Sequence, residues 1–162
     1  MSRIGSTIAR AALICISALV ASIAVAAPAN AAPAVEACVL NADTGAYSCS
    51  TTEASALSKT TAATPQAAAV TYYTIGRFYD GANYTGSSLT IVSNYSTGCV
   101  GRSYHNDMPS GWNDRVSSWH GYLSCHFRMF QNIGLGGATY GPYADVAVMS
   151  SLDNQASSWS AL

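Results

Sequence analysis

The chain has 162 residues, a formal net charge of −1, and only 9% charged against 49% hydrophobic residues. No basic cluster able to neutralise a row of phosphates is present, so nucleic acid is excluded as an expected partner. The apolar share is inflated by the first thirty or so residues, which read as a targeting segment rather than as part of a fold.

Arg3 and Arg10 form a positive start, Ala11 to Ala27 is an uncharged apolar run, and Ala29-Asn30-Ala31 has the small-x-small form of a cleavage site. The run is Ala-rich and falls short of the about 20 apolar residues of a transmembrane helix. Residues 1–31 are therefore expected to be a secretory signal peptide. Cleavage is expected after Ala31, with Ala24-Val25-Ala26 as an earlier alternative and Cys15 as an apolar filler. The product is expected to be extracellular, monomeric and without a membrane anchor.

From Ala32 onward Lys59, Arg77, Arg102, Arg115 and Arg128 face eight acids, a formal charge of −3. Four cysteines remain: Cys38, Cys49, Cys99 and Cys125. In an oxidising compartment an even count points to disulfides. Of the three connectivities, position along the chain favours Cys38 with Cys49 and Cys99 with Cys125. Zinc is the rival reading, but there is no Cys-x-x-Cys, and His105, His120 and His126 are not set at ligand spacing.

Residues 32–69 change character. The stretch 38–49 can close a hairpin around Asn41-Ala42-Asp43-Thr44-Gly45. From Thr51 to Ala69 the chain is rich in Ala, Thr and Ser and has no aromatic residue. Such a stretch offers little apolar area against the entropy of ordering it. A flexible N-terminal extension and linker is expected, with a short helix around 53–58.

After Val70, short runs of tyrosine and β-branched residues alternate with turn signals, as in Thr71-Tyr72-Tyr73-Thr74-Ile75, Ser88-Leu89-Thr90-Ile91-Val92 and Arg128-Met129-Phe130. No helical period persists for three turns, so residues 70–162 read as an all-β sandwich or barrel. The domain also repeats itself. Residues 77–86 align with 128–137 at an offset of 51, each with an aromatic residue seven positions before a glycine. Residues 112–119 align with 152–159 at an offset of 40, which leaves 11 extra residues in the first repeat.

The second alignment carries the chemistry. Asn113-Asp114-Arg115-Val116-Ser117-Ser118 and Asp153-Asn154-Gln155-Ala156-Ser157-Ser158 each place two amide or carboxylate side chains and two serines around two arbitrary residues. Calcium takes six to eight oxygens of this kind. One copy alone reads as an ordinary turn. Two copies in the same relation to their surroundings read as a site.

Aromatic-x-x-x-x-aromatic-x-Gly followed by Asn/Asp-Asn/Asp-x-x-Ser/Thr-Ser resembles the Greek-key motif of the βγ-crystallin superfamily in its calcium-binding microbial form. Tyr79, Tyr84 and Gly86 match the first hairpin; Phe130 and Gly137 match the second, where Leu135 replaces an aromatic. The resemblance covers about residues 72–162, with Greek key 1 over about 72–121 and Greek key 2 over about 122–162. It implies a sandwich of two Greek keys with two ions held between the loops. By that resemblance the side-chain ligands are Asp114, Asn154, Ser117 and Ser157, and backbone carbonyls come from Arg115, Gln155 and near Asp80 and Gln131. Asn113 and Asp153 are supporting or water-mediated ligands, and Ser118 and Ser158 tie each loop to its hairpin. Two loop carboxylates for two ions imply weak binding, about 10⁻⁴ to 10⁻³ M.

Catalysis is not expected. His105, Asp107 and a serine can be assembled on paper, but no Gly-x-Ser-x-Gly and no His-Glu-x-x-His supports them. The alternative function comes from similarity to secreted actinobacterial proteins grouped as a peptidase-inhibitor family, and to killer-toxin-like proteins. On that reading the loop 95–106, anchored by Cys99, acts on a secreted protease or a cell-surface target.

Overall fold

The computed structural model describes residues 35–61 and 70–162. The expected signal peptide and linker residues 62–69 lie outside the described residues. The strands are β1 (Ala37–Asn41), β2 (Tyr47–Ser50), β3 (Tyr73–Gly81), β4 (Thr85–Ser93), β5 (Tyr104–Asp107), β6 (Ser118–Gly121), β7 (Phe127–Asn132), β8 (Gly136–Tyr143), β9 (Asp145–Val146) and β10 (Ser158–Ala161). Among the described residues an α-helix, α1, spans Glu53–Thr61, and a single 3-10 turn spans Ala82–Tyr84.

The strands form two sheets, ordered β2-β1-β4-β3-β6-β9 and β5-β10-β7-β8. The first repeat supplies β3 to β6 and the second supplies β7 to β10. Each repeat gives its third strand to the sheet of the other: β5 pairs with β10, and β9 with β6. The expected all-β sandwich of two Greek keys is therefore present. Its core is aromatic. Phe78 meets Phe127 edge-on at 5.0 Å between ring centroids and Trp159 at 5.8 Å, and Trp112, Trp119 and Trp159 are fully buried.

Strand β4 is buried from Leu89 to Ser93 without alternation. Leu89 and Ile91 join the main core, whereas Val92 packs with Val39 and Ala56 in a second cluster. A strand buried on both faces loses its period of two.

Within the expected flexible stretch 32–69, the described residues 35–61 are ordered through this second cluster. Residues 35–61 are a hairpin and a helix joined to the sandwich. β1 pairs antiparallel with β2, as the hairpin reading expects, but also parallel with β4, from Ala37 opposite Ser88 to Asn41 opposite Val92. Cys38 and Leu40 reach the main core. The helix is longer than expected and buries Ala56 and Thr60, and Thr60 donates to the Ala56 carbonyl at 2.9 Å. Glu53 pairs with Arg77 on β3. Burial alone would lower the Arg77 pKa, but Glu53 and Tyr79 hold it above its ordinary value. Short, weakly apolar elements are ordered here because they land on a sheet already formed.

The disulfides Cys38–Cys49 and Cys99–Cys125 both close, as the sequence predicts. The first staples β1 to β2; the second pins the loop after β4 to the turn before β7. Among the described residues no helix is long and apolar enough to cross a membrane.

A serine locks each hairpin. Ser118 Oγ donates to the Gly81 carbonyl at 2.6 Å and accepts from the Tyr84 N–H at 3.0 Å. Ser158 Oγ repeats this with Asn132 and Leu135 at the same distances. Gly86 and Gly137 follow, at φ of +84° and +78°, a conformation that costs glycine nothing. A Cβ on Gly86 would also collide with the Asp80 carboxylate.

Two stability predictions follow from this packing. Leu40→Ala is expected to lose about 2–5 kcal/mol in equilibrium urea unfolding, as for a buried core leucine; a loss near zero would show that β1 is not part of the core. Ser158→Ala, which strands two backbone groups, is expected to lose about 1–3 kcal/mol, and unchanged unfolding would remove the lock from the account.

Candidate functional site

The loops over 113–118 and 153–158 follow β5 of the first repeat and β9 of the second, and meet each other. They hold each other by backbone bonds. Asp114 N–H donates to the Ala156 carbonyl at 3.0 Å, and Asn154 N–H to the Val116 carbonyl at 3.1 Å. Both donors sit at positive φ, 58° and 54°, where Asn and Asp are tolerated better than most residues. Ser117 N–H donates to Tyr79 O at 2.8 Å and Ser157 N–H to Phe130 O at 2.9 Å, which brings Asp80 and Gln131 beside the loops.

Across this junction the side chains pair crosswise. Ser157 Oγ lies 3.4 Å from Asp114 Oδ1, and Ser117 Oγ lies 3.4 Å from Asn154 Oδ1. Each pair draws one oxygen from each repeat. Both separations are long for a hydroxyl hydrogen bond. They match the spacing of about 3.4 Å between neighbouring oxygens set at right angles around a calcium ion at about 2.4 Å. An open depression of about 350 Å³ lies at the first pair, lined by Asp114, Gln131, Asn132, Asn154, Gln155 and Ser157. The donor set there is a carboxylate, a hydroxyl and neutral amides, which fits a hard cation and offers no soft ligand.

The remaining predicted residues divide. Asn113 supports the loop by donating from Nδ2 to Asp114 Oδ2 at 2.7 Å. Asp153 is exposed at the other loop. Asp80 does more than present a carbonyl. Its carboxylate accepts the Ser87 N–H at 2.7 Å and forms an ion pair with Arg115 at 2.6 Å. Reading Arg115 only for its carbonyl misses this side chain, although a base in one loop and an acid in the facing hairpin are both visible in the sequence.

Three other expectations meet the structure here. The loop 95–106 ends earlier than expected, because Tyr104, His105 and Asn106 belong to β5. Leu135, in the place of an aromatic, is exposed, whereas Tyr84 stacks on His120 at 3.7 Å. The acid of the paper triad, Asp107, accepts the Gly134 N–H at 2.7 Å. His120 instead pairs with Asp145 at 2.7 Å on the sheet surface.

No family model and no curated protein matches the chain. Solved structures do. The N-terminal domain of protein S is 15% identical over 54% of this chain and 94% of its own, at a TM-score of 0.42. A βγ-crystallin domain from Flavobacterium johnsoniae is 19% identical over 54% and 93%, at 0.40. A clostrillin double mutant in complex with nickel is 14% identical over 55% and 98%, at 0.44. Two Greek keys that exchange their third strands, each locked by its own serine and facing the other across paired loops, make this chain an all-β sandwich.

Proposed function

We propose that the chain is a secreted calcium-binding βγ-crystallin-like module whose ions clamp the two repeats together. The crosswise oxygen pairs, each spanning both repeats at 3.4 Å, carry this reading. Ser117 and Ser157 are buried and held by backbone bonds, so the oxygens are positioned before any ion arrives. Two disulfides suit an oxidising compartment outside the cell, where calcium is abundant enough for a weak site to fill.

Calcium binding the native chain and not the unfolded one stabilises by mass action. At 10 mM calcium and a Kd of about 10⁻⁴ M, one site contributes about 2.7 kcal/mol. That corresponds to a rise of roughly 10 °C in Tm. Asp114→Ala and Ser157→Ala, which remove ligands of one pair, are expected to cut the rise by half or more, and Ser117→Ala with Ser157→Ala to abolish it, with folding retained, as read by scanning calorimetry with calcium and with chelator. A wild-type Tm that calcium leaves in place would overturn the reading.

A peptidase inhibitor or killer-toxin-like protein is the second reading, favoured by the loop after β4. Cys99 is buried and disulfide-bonded to Cys125, Arg102 lies over the Tyr95 ring at 3.3 Å, and Val100 is 63% exposed. A braced loop with an exposed tip suits insertion into a cleft, because little entropy is lost on binding. The purified protein should then inhibit a secreted metallo- or serine protease, and Val100→Asp should weaken inhibition at least tenfold. No inhibition at micromolar excess would remove this reading.

A further inference from the structure

We infer that Arg115 is a resident cation that takes the place of an ion at one of the two loop positions, so that the domain binds a single Ca²⁺, at Asp114 and Ser157. The inference rests on the calcium reading above and comes from comparing the repeats position by position. At the Asp114–Ser157 pair, the hairpin residue is Gln131 and the third loop residue is Gln155, both neutral and both lining the open depression. At the Asn154–Ser117 pair, the corresponding residues are Asp80 and Arg115, and they bind each other at 2.6 Å.

The guanidinium is held from three sides. One nitrogen meets Asp80 Oδ2, another donates to the Gly111 carbonyl at 2.5 Å, and the Cζ carbon lies 4.9 Å from the Trp112 ring centroid. Asp80 Oδ1 is engaged by Ser87 N–H. An ion arriving beside Asn154 and Ser117 would therefore find a neutral amide and a hydroxyl, the hairpin carboxylate of Asp80 already committed, a fixed positive charge on Arg115, and only the exposed Asp153 one residue away to offset it. The Asp114 position has the opposite balance. Closely similar loop backbones thus carry one position built for an external cation and one already supplied with a covalently attached cation.

Isothermal calorimetry on the full secreted chain, with calcium as the titrant, tests this. Wild type is expected to bind one ion, and Asp114→Ala none. Arg115→Gln, which copies Gln155, is expected to bind two, and Arg115→Gln with Ser117→Ala is expected to return to one. Circular dichroism melts in chelator establish that each variant folds. Two ions in wild type, or one still in Arg115→Gln, would overturn the inference and leave the calcium reading standing. No ion in any variant would overturn both.

Discussion

Two buried hydroxyls hold this molecule in register. A polar group taken out of water must find partners, and Ser118 and Ser158 find them in their own hairpins, each as donor to one backbone group and acceptor from another. The consequence reaches the loops. Successive residues of an extended chain point to opposite sides, so a serine committed to its hairpin turns the preceding residue the other way. Ser117 and Ser157 are thereby aimed at the opposite repeat, where Asn154 and Asp114 stand. The lock within each Greek key and the junction between them are one device, written as two adjacent serines.

The exchange of third strands makes the junction unavoidable. Because β5 and β9 each cross to the sheet of the other repeat, the loops that follow them begin on the far side and return across the seam. Neither repeat can complete its sheet or its crosswise oxygen pair alone. Strand β4 would be an edge, with a row of unpaired N–H and C=O groups. β1 covers that edge and α1 covers the outer face, with Val39, Ala56 and Val92 meeting behind the sheet. Residues 35–61 are thus a closing piece for the first sheet.

How much of this the sequence discloses depends on the distance over which each signal acts. The repeats, the hairpins around Tyr79 and Phe130, and the two disulfides are legible because each is marked by residues close together or by an even cysteine count. The parallel pairing of β1 with β4 is not, since about fifty residues separate the partners and the intervening Ala/Thr/Ser composition reads as linker. β5 is missed for another reason. Tyr104-His105-Asn106-Asp107 is short and polar, and only its pairing with β10 makes it a strand. The crosswise loop pairing enters through resemblance, because nothing local to either loop says which residues it faces.

Arg115 and Asp80 show why the two loop positions are unequal despite shared backbone geometry. Both side chains keep partial solvent access, 35% and 24%. A pair of that kind stabilises by only about 0–1 kcal/mol. Its weight in the fold is therefore small, yet it commits the one hairpin carboxylate that faces the loops. Asp114 has no such basic neighbour among the residues of its depression. Arginine in place of glutamine at the third loop position, with aspartate in place of glutamine in the hairpin, is enough to give one loop position an internal ion pair and leave the other lined by a carboxylate and neutral amides.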